Sequence, residues 1–195
     1  LTPRSFFLKN QGQGLWDDLT TQAIGTMGMV TDAVWADTDS DGDQALSVVG
    51  EWLPITIFEN MDDGLVLKEQ IPNSAGLWQS IQAADLDGDK DIDFVLGNWG
   101  ENSKLKALPE RPLSMYVKDF DVNSKSEFII NWYAPEDKIA YPLASKKDIV
   151  EQMPILKKSV LKYREYAQKS YEELIPATVR ADAKAYHVVC LASSV

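Results

Sequence analysis

The sequence is poor in cysteine and histidine. Cys190 is the single cysteine and His187 the single histidine among 195 residues. One thiol cannot form an internal disulfide, so the cysteine count identifies neither a disulfide framework nor a redox compartment. We expect both side chains to be structural residues of a buried strand near the C-terminus, and the thiol to be inert.

Long apolar runs and a surplus of basic residues are also missing. No apolar run reaches the ~20 residues that a membrane-spanning helix needs. The 30 acidic residues outnumber the 19 basic ones, which gives a formal net charge of -11. This charge repels phosphate backbones and anionic membranes, so we expect no nucleic-acid partner and no membrane span. The hydrophobic content of 45% is sufficient for the packed core of a globular protein.

An acidic unit occurs three times between strand-like apolar segments. Each copy has Asp at alternating positions and is followed by a short apolar run that ends at a tryptophan. The copies start at Asp37, Asp85 and Asp119, and the tryptophans are Trp52, Trp99 and Trp132. The spacing is close to the length of a four-stranded β-propeller blade, and the apolar flanks predict antiparallel hairpins. We expect the tryptophans to lie in the blade core.

The carboxylates of these loops have the spacing of a calcium site. Calcium takes roughly six to eight oxygen ligands at ~2.3–2.6 Å, mainly from carboxylates and carbonyls. Acids at positions 1, 3, 5 and 9 of a loop surround one point with side-chain oxygens, and the carbonyl of position 7 completes the set. Gly42 and Gly88 allow the tight curl, since glycine tolerates backbone angles that other residues avoid. Without a cation, the crowded carboxylates would repel one another.

An EF-hand is the main competing calcium motif, and the sequence does not fit it. That motif needs a bidentate Glu at position 12 and a helix on each side. Position 12 is Val48 in the first loop and Leu96 in the second, and both belong to strand-like segments. The simpler alternative, that Asp suits exposed turns, explains one such loop but not three copies in register.

Residues 5–135 resemble the FG-GAP or VCBS repeat family, which includes the integrin α-subunit propeller. The shared signature is the loop Asp-x-Asp/Asn-x-Asp/Asn-Gly-x-x-Asp. Residues 50–54, 97–102 and 141–148 are similar to bacterial VCBS-repeat proteins related to the ASPIC/UnbV group. The resemblance implies a mainly β fold, a partial β-propeller of four-stranded antiparallel blades, with bound Ca²⁺, an extracytoplasmic location and a binding role.

The resemblance also assigns metal ligands in each loop. They are the side chains of Asp37, Asp39 and Asp41 with the carbonyl of Asp43; those of Asp85, Asp87, Asp89 and Asp93 with the carbonyl of Asp91; and those of Asp119, Asp121, Asn123 and Glu127 with the carbonyl of Lys125. The ninth position of the first loop is Ala45, which removes one carboxylate. Because affinity depends on ligand charge and loop rigidity, we expect binding to weaken from the second loop to the third and then the first.

The pattern changes near Lys146. Between there and Glu173, apolar residues step by three and four, which predicts an amphipathic helix or helix pair. The stripe consists of Ile149, Met153, Leu156, Val160, Tyr163 and Ala167. We expect it to pack on the β region; the alternative is a groove for a partner helix. The chain then divides into propeller blades at 1–145, a helical insertion at 146–175 and a return strand at 176–195.

These features predict a function as well as a fold. A closed propeller needs about four to eight blades, and the chain begins at Leu1 without a signal-peptide pattern, so we expect a fragment that stops within a blade. We expect a secreted, periplasmic or cell-surface calcium-binding scaffold for a protein or glycan ligand, not an enzyme, which self-associates through its open blade edges. The alternative is a propeller polysaccharide lyase or glycosidase that uses Glu51 or Glu101.

Overall fold

The structure is a computed structural model that describes residues 3–134 and 138–195. The expectation of a mainly β protein with antiparallel strands is confirmed. The chain divides into two compact units. The first comprises the chain as far as Ser103 together with Val188–Val195, and the second comprises Lys104–His187. The second unit therefore contains strands as well as short helices.

The first unit is built from hairpins and one larger sheet. Its strands are β1 (Leu8–Gly12), β2 (Leu15–Asp18), β3 (Met29–Ala36), β4 (Ala45–Leu53), β5 (Thr56–Met61), β6 (Gly64–Gln70), β7 (Gly76–Leu77), β8 (Ser80–Ala84) and β9 (Asp93–Gly97), with a short helix α1 (Gln22–Gly25). Strands β3 to β6 follow in order in one sheet, and β7 pairs with β4. Strands β1 and β2 form a separate hairpin, as do β8 and β9. None of these sheets closes on itself within the described ranges.

Strand β4 is the centre of the larger sheet. It pairs with β3, β5 and β7, and its residues are buried from Ala45 to Gly50. A strand covered on both faces needs a nearly continuous apolar run, which is what the sequence has here. Val48 packs in one core cluster with Phe58 and Leu65, and Val49 packs in another with Trp78.

The first hairpin turns at Gln13 and Gly14, which both have positive φ. The motif tryptophans are not core residues: Trp99 is 54% exposed, and Trp52 and Trp132 are half-buried. The buried tryptophan is Trp78, whose indole N–H donates to the carbonyl of Ser74.

The second unit packs short helices on a four-stranded sheet. The strands are β10 (Leu113–Lys118), β11 (Glu127–Tyr133), β12 (Ala140–Pro142) and β13 (Lys184–Val188), in the order β12-β11-β10-β13. The helices are α2 (Lys146–Gln152), a 3₁₀ helix (Pro154–Lys158), α3 (Tyr163–Ala167), α4 (Tyr171–Leu174) and α5 (Ala177–Arg180). No helix in the described part of the chain is long and apolar enough to cross a membrane.

The helical stripe is buried at its first four positions only. Ile149, Met153, Leu156 and Val160 all lie in the core of the second unit. Tyr163, by contrast, is 66% exposed, and Tyr166 is buried in place of Ala167. The single helical phase is lost because Pro154 cannot donate a helical hydrogen bond. The segment therefore forms several short helices, not one or two long ones.

The C-terminal residues have separate environments. Cys190 is a free, half-buried thiol that packs against the cluster of Val49 and Trp78. His187 is exposed on β13, which corrects the expectation that it is buried, and its Nδ1 lies 3.0 Å from the hydroxyl of Ser114. The strand alternates here, so His187 faces solvent while Val188 is fully buried.

Candidate metal centre

The three acidic loops occupy equivalent places in three antiparallel hairpins. They connect β3 to β4, β8 to β9 and β10 to β11, and each starts directly after a closing pair of strand residues. Those pairs are Ala36 with Ala45, Ala84 with Asp93, and Lys118 with Glu127. Position 9 of the motif is thus the first residue of the second strand each time. Val48 and Leu96 lie inside β4 and β9, so neither loop is flanked by the helices of an EF-hand.

The loops also share their internal hydrogen bonds. The carboxylate at position 1 accepts from the backbone N–H at position 6, with distances of 3.0 Å for Asp37 and Gly42, 3.1 Å for Asp85 and Lys90, and 2.7 Å for Asp119 and Ser124. The side chain at position 5 accepts from position 7, with distances of 2.9 Å for Asp41 and Asp43, 2.9 Å for Asp89 and Asp91, and 2.8 Å for Asn123 and Lys125. These bonds curl each loop around its own acids.

The curl requires two residues with positive φ in every loop, at positions 4 and 6. The angles are 57° and 95° for Ser40 and Gly42, 83° and 81° for Gly88 and Lys90, and 59° and 69° for Val122 and Ser124. Glycine occupies one of the two positions in the first and second loops and neither in the third. A β-branched residue such as Val122 is strained in this conformation, so the third loop keeps the shared geometry at an energetic cost.

Carboxylate oxygens converge in each loop. One oxygen from each member lies within 4.8 Å of the others in the sets Asp37, Asp39 and Asp41; Asp85, Asp87 and Asp89; and Asp119, Asp121 and Glu127. Two ligands of one calcium ion, each at ~2.3–2.6 Å, lie at most about 5 Å apart. The separations are therefore compatible with one cation in each loop.

The remaining expected ligands are placed beside these sets. Asp93 is not in the converging set of the second loop; its Oδ2 accepts from the N–H of Leu86 at 3.0 Å. The side chain of Asn123 is held by the N–H of Lys125. Residues Asp43, Asp91 and Lys125, expected to bind through their carbonyls, all lie at the loop position that donates its N–H to position 5.

The third loop is the most enclosed of the three. Glu127 is only 5% exposed, and its Oε2 accepts from the N–H of Phe120 at 2.8 Å. Phe120 belongs to the buried core of the second unit, so the loop is anchored there. The Oδ1 atom of Asp121 is buried without a hydrogen-bond partner among the described residues. All three converging acids of the second loop are exposed. Negative charge is thus most desolvated in the third loop, where a cation would offset it best.

A lysine side chain already pairs with an acid of the first loop. The ammonium of Lys68, on β6, lies 2.6 Å from Asp39 Oδ2 and 3.7 Å from Glu59. The hydrogen bond from Lys68 holds the pKa of Asp39 below its usual value. In the same loop, Asp37 Oδ1 is buried with no partner in the described ranges. Lys68 was missed by the sequence reasoning because it lies far from the motif along the chain and carries no motif of its own.

The donor sets fit a hard divalent cation. Every converging atom is a carboxylate oxygen, which suits Ca²⁺ or Mg²⁺ better than a soft metal. Of these two ions, calcium tolerates irregular coordination, whereas magnesium demands a near-ideal octahedron. A bound cation would satisfy the unpartnered buried oxygens of Asp37 and Asp121.

The two acids named for an enzymatic alternative lie away from these loops. Glu51 is half-buried on β4, and its carboxylate accepts from the amide of Gln79 at 3.2 Å. Glu101 is exposed in the segment after β9. Among the described residues, three carboxyl groups have a displaced pKa, and it is lowered in each: Asp18, Asp39 and Glu173, chiefly by hydrogen bonds from Thr20, Lys68 and Ser170 respectively.

Comparison of the chain with protein-family models, curated proteins and solved structures finds no match. The loops are therefore interpreted on their own geometry. That geometry defines a class of site, an acidic hairpin loop whose carboxylate oxygens converge closely enough to surround one cation.

Proposed function

We propose that this protein binds Ca²⁺ in its three acidic hairpin loops and that the ions stabilise FG-GAP or VCBS-type β-propeller blades. In this proposal the protein acts outside the cytoplasm as a scaffold for a protein or glycan ligand. The open sheets of the described residues support association through strand edges.

The threefold equivalence of the loops is the observation that supports calcium binding most strongly. An isolated acidic turn has no reason to repeat its closing strand pair, its two positive φ angles and its converging carboxylates. Here all of these recur in hairpins that differ in sequence. A shared ligand explains why such different loops have one conformation, because repulsion between the acids would otherwise open them.

Calcium titration of the protein after removal of divalent ions tests the proposal. With a Kd of ~10⁻⁴ M, which is typical of extracellular modules, ~1 mM Ca²⁺ stabilises the folded state by roughly 1.4 kcal/mol per site. We expect heat of binding by calorimetry and a melting temperature that rises with Ca²⁺ and falls with a chelator. Magnesium at equal concentration should have a smaller effect.

A pair of variants assigns the effect to a loop. Asp89→Ala removes a converging carboxylate of the second loop and should abolish the contribution of that site. The control is Asp63→Ala, which removes the same charge from the exposed turn between β5 and β6 and should leave calcium binding unchanged. Absence of binding heat and of any melting shift in the unmodified protein at ~10 mM Ca²⁺ would refute the proposed metal function.

A further inference from the structure

The second unit contains a cavity that the acidic loops do not use. Its volume is about 660 Å³, within the range of ~300–1,000 Å³ that ligand sites occupy. Its walls are formed by strands β10, β11 and β12, by the start of α4 and by the end of α5. We call it the tyrosine cavity, because Tyr116, Tyr133, Tyr141 and Tyr171 all line it.

Strand alternation explains how the cavity arises. Ile129, Asn131 and Tyr133 lie on the same face of β11, since alternate residues of a strand point the same way. The helical core covers Ile129. It does not extend over Asn131 and Tyr133, which line the cavity instead. On β10, Ser114 is paired with Asn131 and belongs to the same lining.

Two buried polar groups of this lining have no hydrogen-bond partner among the described residues. Asn131 is 0% exposed, and both its Oδ1 and its Nδ2 are unpaired. Tyr171 is 5% exposed, and its hydroxyl is also unpaired. Buried polar groups in folded proteins are nearly always paired, and an unpaired one costs free energy. An amide and a hydroxyl together offer donors and acceptors to a ligand that carries both.

The charges around the cavity balance. Lys138 and Arg180 contribute positive charge, and Glu172 and Glu173 contribute negative charge. Arg180 is paired with Glu172 at 3.4 Å. A lining of this kind does not select for an anion or a cation, so it favours a neutral ligand.

The tyrosine rings give the cavity an aromatic surface. Tyr116 stacks on Tyr171, with ring centroids 4.4 Å apart and planes within 10°. The hydroxyl of Tyr171 is a hydrogen-bond donor at neutral pH, as for any tyrosine, and burial raises its pKa further, to about 12. Aromatic side chains can pack against the apolar C–H face of a ligand ring, and amide and hydroxyl groups can form hydrogen bonds with the polar edge of that ring. Sugar rings combine these two surfaces.

We propose that the tyrosine cavity binds a neutral mono- or disaccharide. This proposal names the ligand class and the binding site for the scaffold role proposed above. It rests on that role, but it does not require bound calcium. Asn131 bonds sugar hydroxyls from the sheet, Tyr171 bonds them from α4, and the tyrosine rings pack on the sugar.

Titration with defined sugars tests the inference. The probes are glucose, galactose, mannose, N-acetylglucosamine, xylose, cellobiose, maltose and lactose, each up to about 10 mM, with binding followed by calorimetry and ligand-observed NMR. We expect saturable binding of at least one probe, both with Ca²⁺ and with a chelator. If none binds, the inference is overturned. Calcium binding measured on the same sample decides the metal function separately.

Matched variants then place the sugar in the cavity. Tyr171→Phe removes only the unpaired hydroxyl, so the melting temperature should not fall while sugar affinity drops about fivefold to tenfold. Asn131→Leu keeps the side-chain volume and should weaken binding more than tenfold. The control is Tyr163→Phe, the same change at a tyrosine that is 66% exposed. Unchanged affinity in Tyr171→Phe, or an equal loss in the control, overturns the assignment.

Discussion

Replacement of Glu127 by Gln separates a metal ligand from a purely structural acid. Glu127 has two roles in the third loop: its Oε2 accepts from the N–H of Phe120, and it lies within 4.8 Å of carboxylate oxygens of Asp119 and Asp121. Glutamine keeps the volume and an acceptor oxygen but removes the charge. The effect on stability should therefore depend on calcium.

Without calcium the variant should be the more stable protein. Two unit charges at the upper limit of this separation, 4.8 Å, repel by about 1 kcal/mol in a water-like medium and about 3 kcal/mol at an effective dielectric constant of ~20. Removal of one charge relieves this repulsion. Weakening of the charge-assisted bond to Phe120 N–H costs about 1 kcal/mol. We expect a net gain of about 1 kcal/mol in the free energy of unfolding.

With calcium the order of stability should reverse, so that the wild-type protein is more stable than Glu127→Gln. A site with a Kd of ~10⁻⁴ M contributes about 1.4 kcal/mol at ~1 mM Ca²⁺ and about 2.7 kcal/mol at ~10 mM. Glu127→Gln loses most of that contribution, while the other two loops contribute equally to both proteins. Wild type should thus be the more stable by about 1–2 kcal/mol at ~10 mM Ca²⁺, with a crossover near ~1 mM.

The assay is denaturant unfolding at several calcium concentrations. Glu110→Gln, the same change at an exposed acid of the same unit, is the control and should not change the calcium dependence. If Glu127→Gln instead destabilises the protein by the same amount with and without calcium, Glu127 serves only to anchor Phe120. The proposed cation in the third loop would then be refuted.

Three further changes test separate parts of the structure. Lys68→Met frees a carboxylate oxygen of Asp39, so the calcium affinity of the first loop, measured by calorimetry, should rise about twofold to fivefold. Unchanged affinity would mean that the ion pair does not compete with calcium for Asp39. Val122→Gly relieves a positive φ of 59° at an exposed valine, and the free energy of unfolding should rise by about 0.5–1 kcal/mol in chelator; a fall would contradict the strain. Leu156→Ala truncates a side chain of the buried core and should lower the free energy of unfolding by ~2–5 kcal/mol in denaturant melts; a change below ~0.5 kcal/mol would favour a partner-helix groove.

The sequence predicted the local arrangement of the acidic loops well. It placed them between antiparallel strands and identified positions 1, 3 and 5 as neighbours in the first two loops, because an acid at every second position of a tight curl must face one point. Single residues followed the expectation unevenly. The expected ligand Asp93 lies outside the converging set of the second loop and accepts from the N–H of Leu86, whereas the expected ligand Glu127 does lie in the converging set of the third loop. The glycine argument found one of the two positive φ positions in each of the first two loops and neither in the third.

The ranking of the three loops as cation sites depends on the tertiary structure. Counting carboxylates ranked the second loop first, but burial makes the third loop the one in which charge is most desolvated. That burial comes from Phe120, which anchors the loop in the core of the second unit. The ion pair of Lys68 with Asp39 likewise joins a strand to a loop that is distant along the chain. A residue count contains neither contact.

The sequence by itself therefore determined the mainly β character, the three curled loops and the apolar stripe from Ile149 to Val160, because these depend on periodicity and on hydrogen bonds between residues close along the chain. Only the tertiary structure decided which carboxylates are enclosed, where Lys68 meets an acid and that Asn131 and Tyr171 share one cavity. These are contacts between distant segments, fixed by how the strands and helices pack, and no local pattern records them.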